Sequence, residues 1–500
     1  MLLLAGWLGP AAAQPPAAFP RDMAQRVLAE SMRLVLERHL EPATPASLAL
    51  WSLRGLAVLD PRFDPVLTET ELRLQFQDRP LSALPLEGLA TADPAAAAES
   101  LGFALSRFYE AAWLGSPAVR RAGMERVIAS GFDEVFNHLD PYSRYLTPAE
   151  ARAARERRVG QSGLGLRVAV QGRFLVVVAV TPDGPADLEG VQVGDRLLAV
   201  DGRALGPRDP GLAASLLEGP EGSTVALTLS RNGRRREVTL LREMVVPETV
   251  ASERRSDILW IRLTGFSTLT ERRITAALVD GFAEQVPRGV VLDLRGNRGG
   301  LLNQAIAVAD AFLAEGEVAR TEGRHPDAAR SYRAGGQDLA LGLPLVVLVD
   351  GRTASAAEIV AMALAERRRA VVVGSATMGK GLIQLVAPLP NRGELLVTWS
   401  QLVAPSGWPI QGLGVLPALC TSLGPRVLDA GLRQLAGGEA PMAAAHARQR
   451  AARPSAPASE LAALRGTCPP AEGRSADASA AQALIEAPAA YAAALASLPP

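Results

Sequence analysis

The apolar positions change their period twice along this chain. From residue 20 to about 155, segments such as "MAQRVLAESMRLVLERHL" and "VRRAGMERVIASGFDEVFNHL" place them at helical spacing. Pro-rich and acidic loops separate the pieces, so the pattern predicts a mainly helical domain over 20–158. No convergent polar cluster stands out in it, and a scaffold or oligomerisation role is the reading its sequence favours. From 159 to 246 the period shortens. "GRFLVVVAV", "DRLLAVDG", "STVALTLSRNG" and "REVTLL" read as short strands bounded by Gly, Pro, Asp and Asn turns, with one helix, "GLAASLLEG", among them.

From 247 to 435 strands and helices alternate. "DILWIRLTGF", "GVVLDLRGN", "LPLVVLVDG" and "AVVVG" read as strands. "LTERRITAALVDGFAEQ", "LLNQAIAVADAFL" and "SAAEIVAMALAER" read as the helices between them, and two further strands follow, "LIQLVAPL" and "GELLVTWSQLVA". That order predicts a layered α/β domain, whose ligands bind at the carboxyl ends of the strands. The tail, 436–500, is rich in Ala, Pro, Ser and Arg. "AHARQRAARPSAPASE" has no clean period and reads as partly disordered, whereas "AAQALIEAPAAYAAALASL" reads as a short helix.

Composition narrows the partners. The chain has 500 residues, 48% of them apolar, with 52 basic and 52 acidic side chains. Zero net charge argues against nucleic acid or an anionic surface as the main partner. Residues 1–19 begin "MLLLAGWLGPAAAQPP", an apolar run followed by an A-x-A pattern without a basic n-region; the expectation is a signal peptide and linker. The two cysteines, Cys420 and Cys468, make no zinc site, and no cofactor or metal is expected. In an exported chain such a pair would suit a disulfide joining tail to core, although no sequence feature brings the two together.

The candidate chemistry lies in "DGRTASAAEIVAMALAERRRAVVVGSATMGKGLIQ", 350–384. Ser355 falls at a strand-to-helix turn, where a helix N-terminus offers free N–H groups and a positive dipole end. Ser-x-x-Glu, with Glu358 at the third position, is also a capping box, and a structural role for Glu358 is expected. A serine nucleophile needs a base. Of four histidines only His325 falls in this domain, in a polar loop with no orienting motif, so a Ser-His-Asp triad is not expected. Lys380, between Gly379 and Gly381, is the alternative, provided apolar surroundings depress its pKa. "GSATMGKG" also nearly spells a phosphate-binding loop. Gly381 stands where Ser or Thr should hold magnesium, and a strand follows where a helix should, so a nucleotide is not expected.

On these residues the chain resembles the C-terminal (tail-specific) processing peptidases, serine proteases with a Ser-Lys dyad and a PDZ domain. Ser355 in "TASAAE", Lys380 in "MGKG" and Gln384 in "GLIQ" match that family's nucleophile, base and accompanying glutamine. "LDPYSRYLTPAE" (139–150) resembles the motif before its PDZ domain, and "VVLDLRGNRGGLL" (290–302) and "APSGWPIQGLGVLP" (404–417) resemble core segments. "SGLGLRV" (162–168), followed by "PADLEGVQVGDRLLAVDGRAL" (185–205), resembles a PDZ carboxylate loop and its downstream hallmark. Met378, Ala357 and Ala418 depart from the family pattern without touching the dyad.

The resemblance implies a multidomain α+β protein: a helical N-terminal domain, a β-rich PDZ domain and an α/β protease core of the crotonase/ClpP kind. It implies Ser355, Lys380 and Gln384 as catalytic, and backbone N–H groups of Ala356 and of Gly299 or Gly300 as the oxyanion hole. Gly163, Leu164, Gly165 and Leu166 would bind a substrate's C-terminus. Protein or peptide C-termini are the expected partners, with dimerisation or adaptor binding open to the helical domain and the bacterial periplasm or envelope as the location. A non-catalytic PDZ scaffold is the main alternative; an acyl-CoA enzyme with a related core is disfavoured by the PDZ insertion.

Overall fold

In the computed structural model residues 18–89, 91, 93–453 and 455–496 are described, so most of the expected signal segment lies outside the described residues. The chain forms two compact units, Met1–Ala151 with Gln384–Trp399, and Arg152–Ile383 with Ser400–Pro500.

Helices Arg21–Arg38, Pro45–Leu59, Pro94–Gly115 and Pro117–Asn137 make most of the first unit. Three of them start the same way. Thr44, Asp93 and Ser116 each accept a hydrogen bond from a first-turn N–H, and each is followed by proline. Proline is tolerated there because its missing N–H would have no intrahelical partner. One element escaped the helical reading: Phe63–Leu67, Glu71–Phe76 and Arg79–Pro85 form an antiparallel meander. Its turns at Gln77 and Asp78 place two non-glycine residues at positive φ, a signal that composition hides. The later strand segment around Leu395 and Val397 buries its side chains in this unit's core.

Within the second unit, the β-rich domain is a sheet whose strand order runs Arg234–Leu241, Thr224–Arg231, Arg196–Val200, Phe174–Val180, Leu166–Gln171. Leu166–Gln171 is therefore an edge strand. The buried guanidinium of Arg242 donates to Leu216 O and Leu217 O, the last carbonyls of the helix Pro210–Leu217, and so anchors that helix.

The sheet of the α/β domain runs Val250–Arg255, Ile258–Leu263, Gly289–Asp293, Leu345–Val349, Val371–Gly374, Leu419–Cys420, parallel except for its first pair. Leu345–Val349 is buried at every position, as a parallel strand covered on both faces must be. Leu292, Leu345 and Val347 pack with the helices Thr270–Ala283, Leu302–Asp310 and Ala356–Glu366. Val291, Val346 and Leu348 face the other way, into a core completed by Leu428, Ala481, Leu484, Ile485 and Ala490.

That second layer corrects the expectation of a partly disordered tail. Residues 436–496 carry helices Ala443–Ala451, Ala458–Arg465, Ala476–Glu486 and Pro488–Ala496, the last two split at Pro488. Their alanines look featureless in sequence, yet small side chains let a helix lie close on a sheet. Asp477, buried, accepts from Thr421 Oγ1 at 2.6 Å and pairs with Arg295. Cys420 and Cys468 form a disulfide that closes a separation of 48 residues. Replacing both by serine should lower unfolding free energy by about 4 kcal/mol, the loop-entropy value for that closure, and denaturant melts would read it.

Candidate active site

Ser355 follows the strand Leu345–Val349 through a turn that Asp350 organises. Its Oδ1 accepts from Gly296 N, Arg352 N and Thr353 N at 2.9–3.0 Å. Ser355 itself has φ 57° and ψ −120°, a conformation that L-residues rarely adopt. Such a residue costs about 1–3 kcal/mol and persists only where its surroundings hold it. The helix Ala356–Glu366 starts immediately after it, and Ser355 is half-buried.

The glycine pair of "RGNRGG" lies directly against this turn. A Cβ on Gly299 would come within 2.9 Å of Ser355 Cβ and 3.0 Å of Ala356 N. Buried Asn297 locks the loop: its Oδ1 accepts from Gly299 N (2.8 Å), its Nδ2 donates to Leu263 O (2.9 Å), and its carbonyl accepts from Ala354 N (2.9 Å). The Gly299 N–H is therefore already engaged. Gly300 N and Ala356 N donate to nothing among the described residues. Of the two glycines, Gly300 is the one whose N–H is left unengaged beside that of Ala356.

The lysine loop meets the serine turn through one carboxylate. Glu358, 0% exposed, accepts four hydrogen bonds: Oε1 from Thr377 Oγ1 (2.5 Å) and Gly379 N (2.7 Å), Oε2 from Ser355 N (2.7 Å) and Lys380 N (2.9 Å). Because Ser355 N and Lys380 N share one oxygen, they are at most about 5.6 Å apart. Burial pushes the Glu358 carboxyl above the usual carboxylate range, against the pull of these four donors. Glu358 thus completes the capping box expected of it and also binds the second loop, a link that its spacing from Ser355 does not reveal.

The glycines flanking Lys380 are needed for close approach. Gly379 has φ 81°, and a Cβ on Gly381 would lie 2.3 Å from Gln411 N. The same loop excludes a phosphate cradle. Met378 N donates to Thr353 O, Gly379 N and Lys380 N to Glu358, and Gly381 N to Gln411 Oε1, so its amides are committed internally. The strand Leu382–Pro388 follows, as expected.

Gln384 falls in the first unit, where its Nε2 donates to Thr398 Oγ1 at 3.2 Å. That contact belongs to a polar cluster which the sequence did not disclose. Thr398 Oγ1 donates to Asp140 Oδ1 (2.7 Å), and buried His39 lies 2.9 Å from Asp140 Oδ2 through its Nε2. His39, Asp140 and Thr398 come from three distant segments, so no local motif could show their convergence. His325 caps a short turn through its Nδ1, which accepts from Asp327 N.

In the β-rich domain Gly163, Leu164, Gly165 and Leu166 line a groove of about 740 Å³ between the edge strand Leu166–Gln171 and the helix Pro210–Leu217. Leu164 O and Gly165 O accept from Ala186 N and Thr181 N, while their N–H groups have no partner among the described residues. Val168, Ala213, Ala214 and Leu217 give the groove apolar walls. Unpaired loop amides, an open strand edge and apolar walls suit an extended peptide ending in a carboxylate.

Comparison with known proteins agrees. Residues 257–419 match peptidase family S41, and residues 176–231 match the PDZ domain. The chain is similar to a carboxy-terminal-processing protease of Bartonella bacilliformis, 35% identical over 59% of this chain and 69% of that one. It is similar to a carboxyl-terminal-processing protease of Picosynechococcus, 36% identical over 56% of this chain and 69% of that one. A solved photosystem II D1 C-terminal processing protease is 26% identical, covering 77% of this chain and 97% of that one, with a TM-score of 0.36. By its identity to relatives of which it spans more than two thirds, the chain belongs to the carboxyl-terminal-processing proteases of peptidase family S41.

Proposed function

We propose that this protein is a carboxyl-terminal-processing serine endopeptidase in which Ser355 is the nucleophile and Lys380 its base. The observation that carries the dyad is the shared carboxylate: Glu358 Oε2 holds the main-chain nitrogens of both residues. Neutral Lys380 takes the Ser355 proton as the oxygen attacks a substrate carbonyl, and the oxyanion forms against the N–H groups of Gly300 and Ala356. The lysine ammonium then protonates the leaving amine. Water attacks the acyl-enzyme by the reverse proton path and releases the new C-terminus. Gln384 is assigned as the accompanying glutamine on its motif spacing, four residues along the chain from Lys380. The apolar groove holds the substrate's own C-terminus, with the Leu164 and Gly165 amides on its carboxylate. The disulfide supports export to an oxidising compartment, as the N-terminal segment suggests, with the periplasm as the location.

A serine-directed covalent probe should label Ser355 in the intact protein and not in Ser355→Ala; absence of labelling would return the scaffold reading. Amidating the C-terminus of an apolar-tailed substrate should lower kcat/KM by about 10-fold or more, since a hydrogen bond to a charged group contributes about 1.5–3 kcal/mol. Equal turnover of the free and amidated peptides would remove the groove from substrate recognition.

A further inference from the structure

The carboxyl ends of Leu345–Val349 and Val371–Gly374 lie side by side, for Val349 pairs with Gly374. The chain leaving the first strand leads to Ser355, and the chain leaving the second leads to Lys380. A stretch of the tail, 465–471, bonds to both exits. Ala471 O accepts from Gly351 N at 2.9 Å, in the serine turn, and from Ser375 Oγ at 3.1 Å, at the start of the lysine loop. Ala471 N donates back to the buried Ser375 Oγ at 3.0 Å. Further along the lysine loop, Ala376 N donates to Cys468 O at 3.2 Å, and Arg465 Nη2 donates to Thr377 O at 2.7 Å. Thr377 is also the residue whose hydroxyl donates to Glu358.

Residues 469–474 form neither helix nor strand, so this strap has no ladder of its own to hold it. Anchors on either side fix it instead. Cys468 is bonded to Cys420, which pairs with Gly374 in the sheet. Both cysteines are buried in a small cluster with Ala376 and Met442. Beyond the strap, Asp477 is held by Thr421 and Arg295. Between the anchors Pro469 and Pro470 restrict φ at two successive positions. The serine turn leaves room for them: a Cβ on Gly351 would come within 3.0 Å of Pro470 Cβ. Glu358 ties the two loops beside Ser355 and Lys380, and the strap ties them again where they leave the sheet.

The geometry points to Ser375, Arg465 and the Cys420–Cys468 pair as positioning residues: through the strap they hold the serine turn and the lysine loop in fixed relation, so the C-terminal tail takes part in turnover as well as in stability. The inference rests on the Ser-Lys reading. A nucleophile and its base are useful only while their supporting backbone keeps them aligned. The consequence falls on kcat, because the residues that line the peptide groove of the β-rich domain include none of the strap.

Steady-state kinetics on an apolar-tailed peptide, run well below every variant's melting temperature, separates positioning from stability. A displacement of about 1 Å at a reacting centre costs about 10²-fold in rate, and loss of one tie among several should cost about 10-fold. Ser375→Ala, Arg465→Met and the double variant Cys420→Ser/Cys468→Ser should each lower kcat on that scale, with KM within about twofold of native. Leu484→Ala is the control. It opens a cavity in the tail's packing against the sheet, in a cluster that includes none of the strap. It should lower the melting temperature and leave kcat within about twofold of native. If Ser375→Ala does not fold, Arg465→Met carries the test, its side chain being only half-buried. Native kcat in any folded strap variant would overturn the inference and leave the dyad standing. So would an equal loss of kcat in Leu484→Ala, since turnover would then merely follow stability. Activity surviving in Ser355→Ala would instead overturn the catalytic reading itself.

Discussion

Lys380→Ala should reduce kcat by about 10³-fold or more while leaving the melting temperature near that of the native protein. General-base catalysis alone contributes about 10²–10⁴-fold, and a residue that both takes and returns the proton acts in two steps. Stability should survive because the loop is held through its main chain. The Lys380 N–H donates to Glu358, Gly379 is engaged by the same carboxylate, and Gly381 by Gln411, none of which alanine disturbs. Lys380→Arg is the sharper variant. It keeps the cation and most of the stem but has no neutral form at working pH, so an electrostatic role would survive it and a base would not. Steady-state kinetics on an apolar-tailed peptide reads both variants. Arginine turning over within about tenfold of lysine would show that the amine is not the base.

Glu358→Gln should damage both stability and turnover. All four groups around the carboxylate donate: three backbone N–H groups and the Thr377 hydroxyl, whose oxygen also accepts from Val415 N. A carboxylate satisfies four donors with two oxygens; an amide replaces one oxygen by NH2 and sets it against two of them. Each buried N–H left unsatisfied costs about 1–3 kcal/mol, so the loss should be about 2–6 kcal/mol in a denaturant melt. The serine turn and the lysine loop would then separate or tilt, and a displacement of about 1 Å at a reacting centre costs about 10²-fold in rate. A merely capping glutamate predicts far less, about 1 kcal/mol or under, since glutamine also serves in a capping box. A Glu358→Gln protein with native turnover would sever the link between the two loops.

Much of this could be read locally. Ser355 at a strand-to-helix turn, the glycines around Lys380 and the strand after it follow from short-range pattern, because each depends on residues within a few positions. The capping relation of Glu358 to Ser355 was visible for the same reason. Its second pair of partners was not, since Gly379 and Lys380 lie more than twenty residues further on and touch it only in the folded state. Asn297 was hidden in a motif where the glycines draw the eye, yet its side chain engages the Gly299 N–H and leaves that of Gly300 open.

The tail and the N-terminal polar cluster show the other limit. Alanine-rich helices carry little periodic contrast, so 436–500 reads as partly disordered with one short helix. Only the uncovered second face of the sheet, where Val291, Val346 and Leu348 need partners, reveals what Leu484 and Ile485 are for. His39, Asp140 and Thr398 are unremarkable one by one and acquire meaning through mutual distances of 2.7–2.9 Å.

By itself the sequence determined the order of the domains, the strand–turn–helix that presents Ser355, the amine at Lys380 and the loop at Gly163–Leu166, because periodicity, turn chemistry and motif spacing are properties of neighbouring residues. Tertiary structure alone decided which glycine amide remains open and which carboxylate joins the two loops. Those depend on hydrogen bonds between segments that no local pattern relates, and a buried donor or acceptor takes its role only once every partner around it is in place.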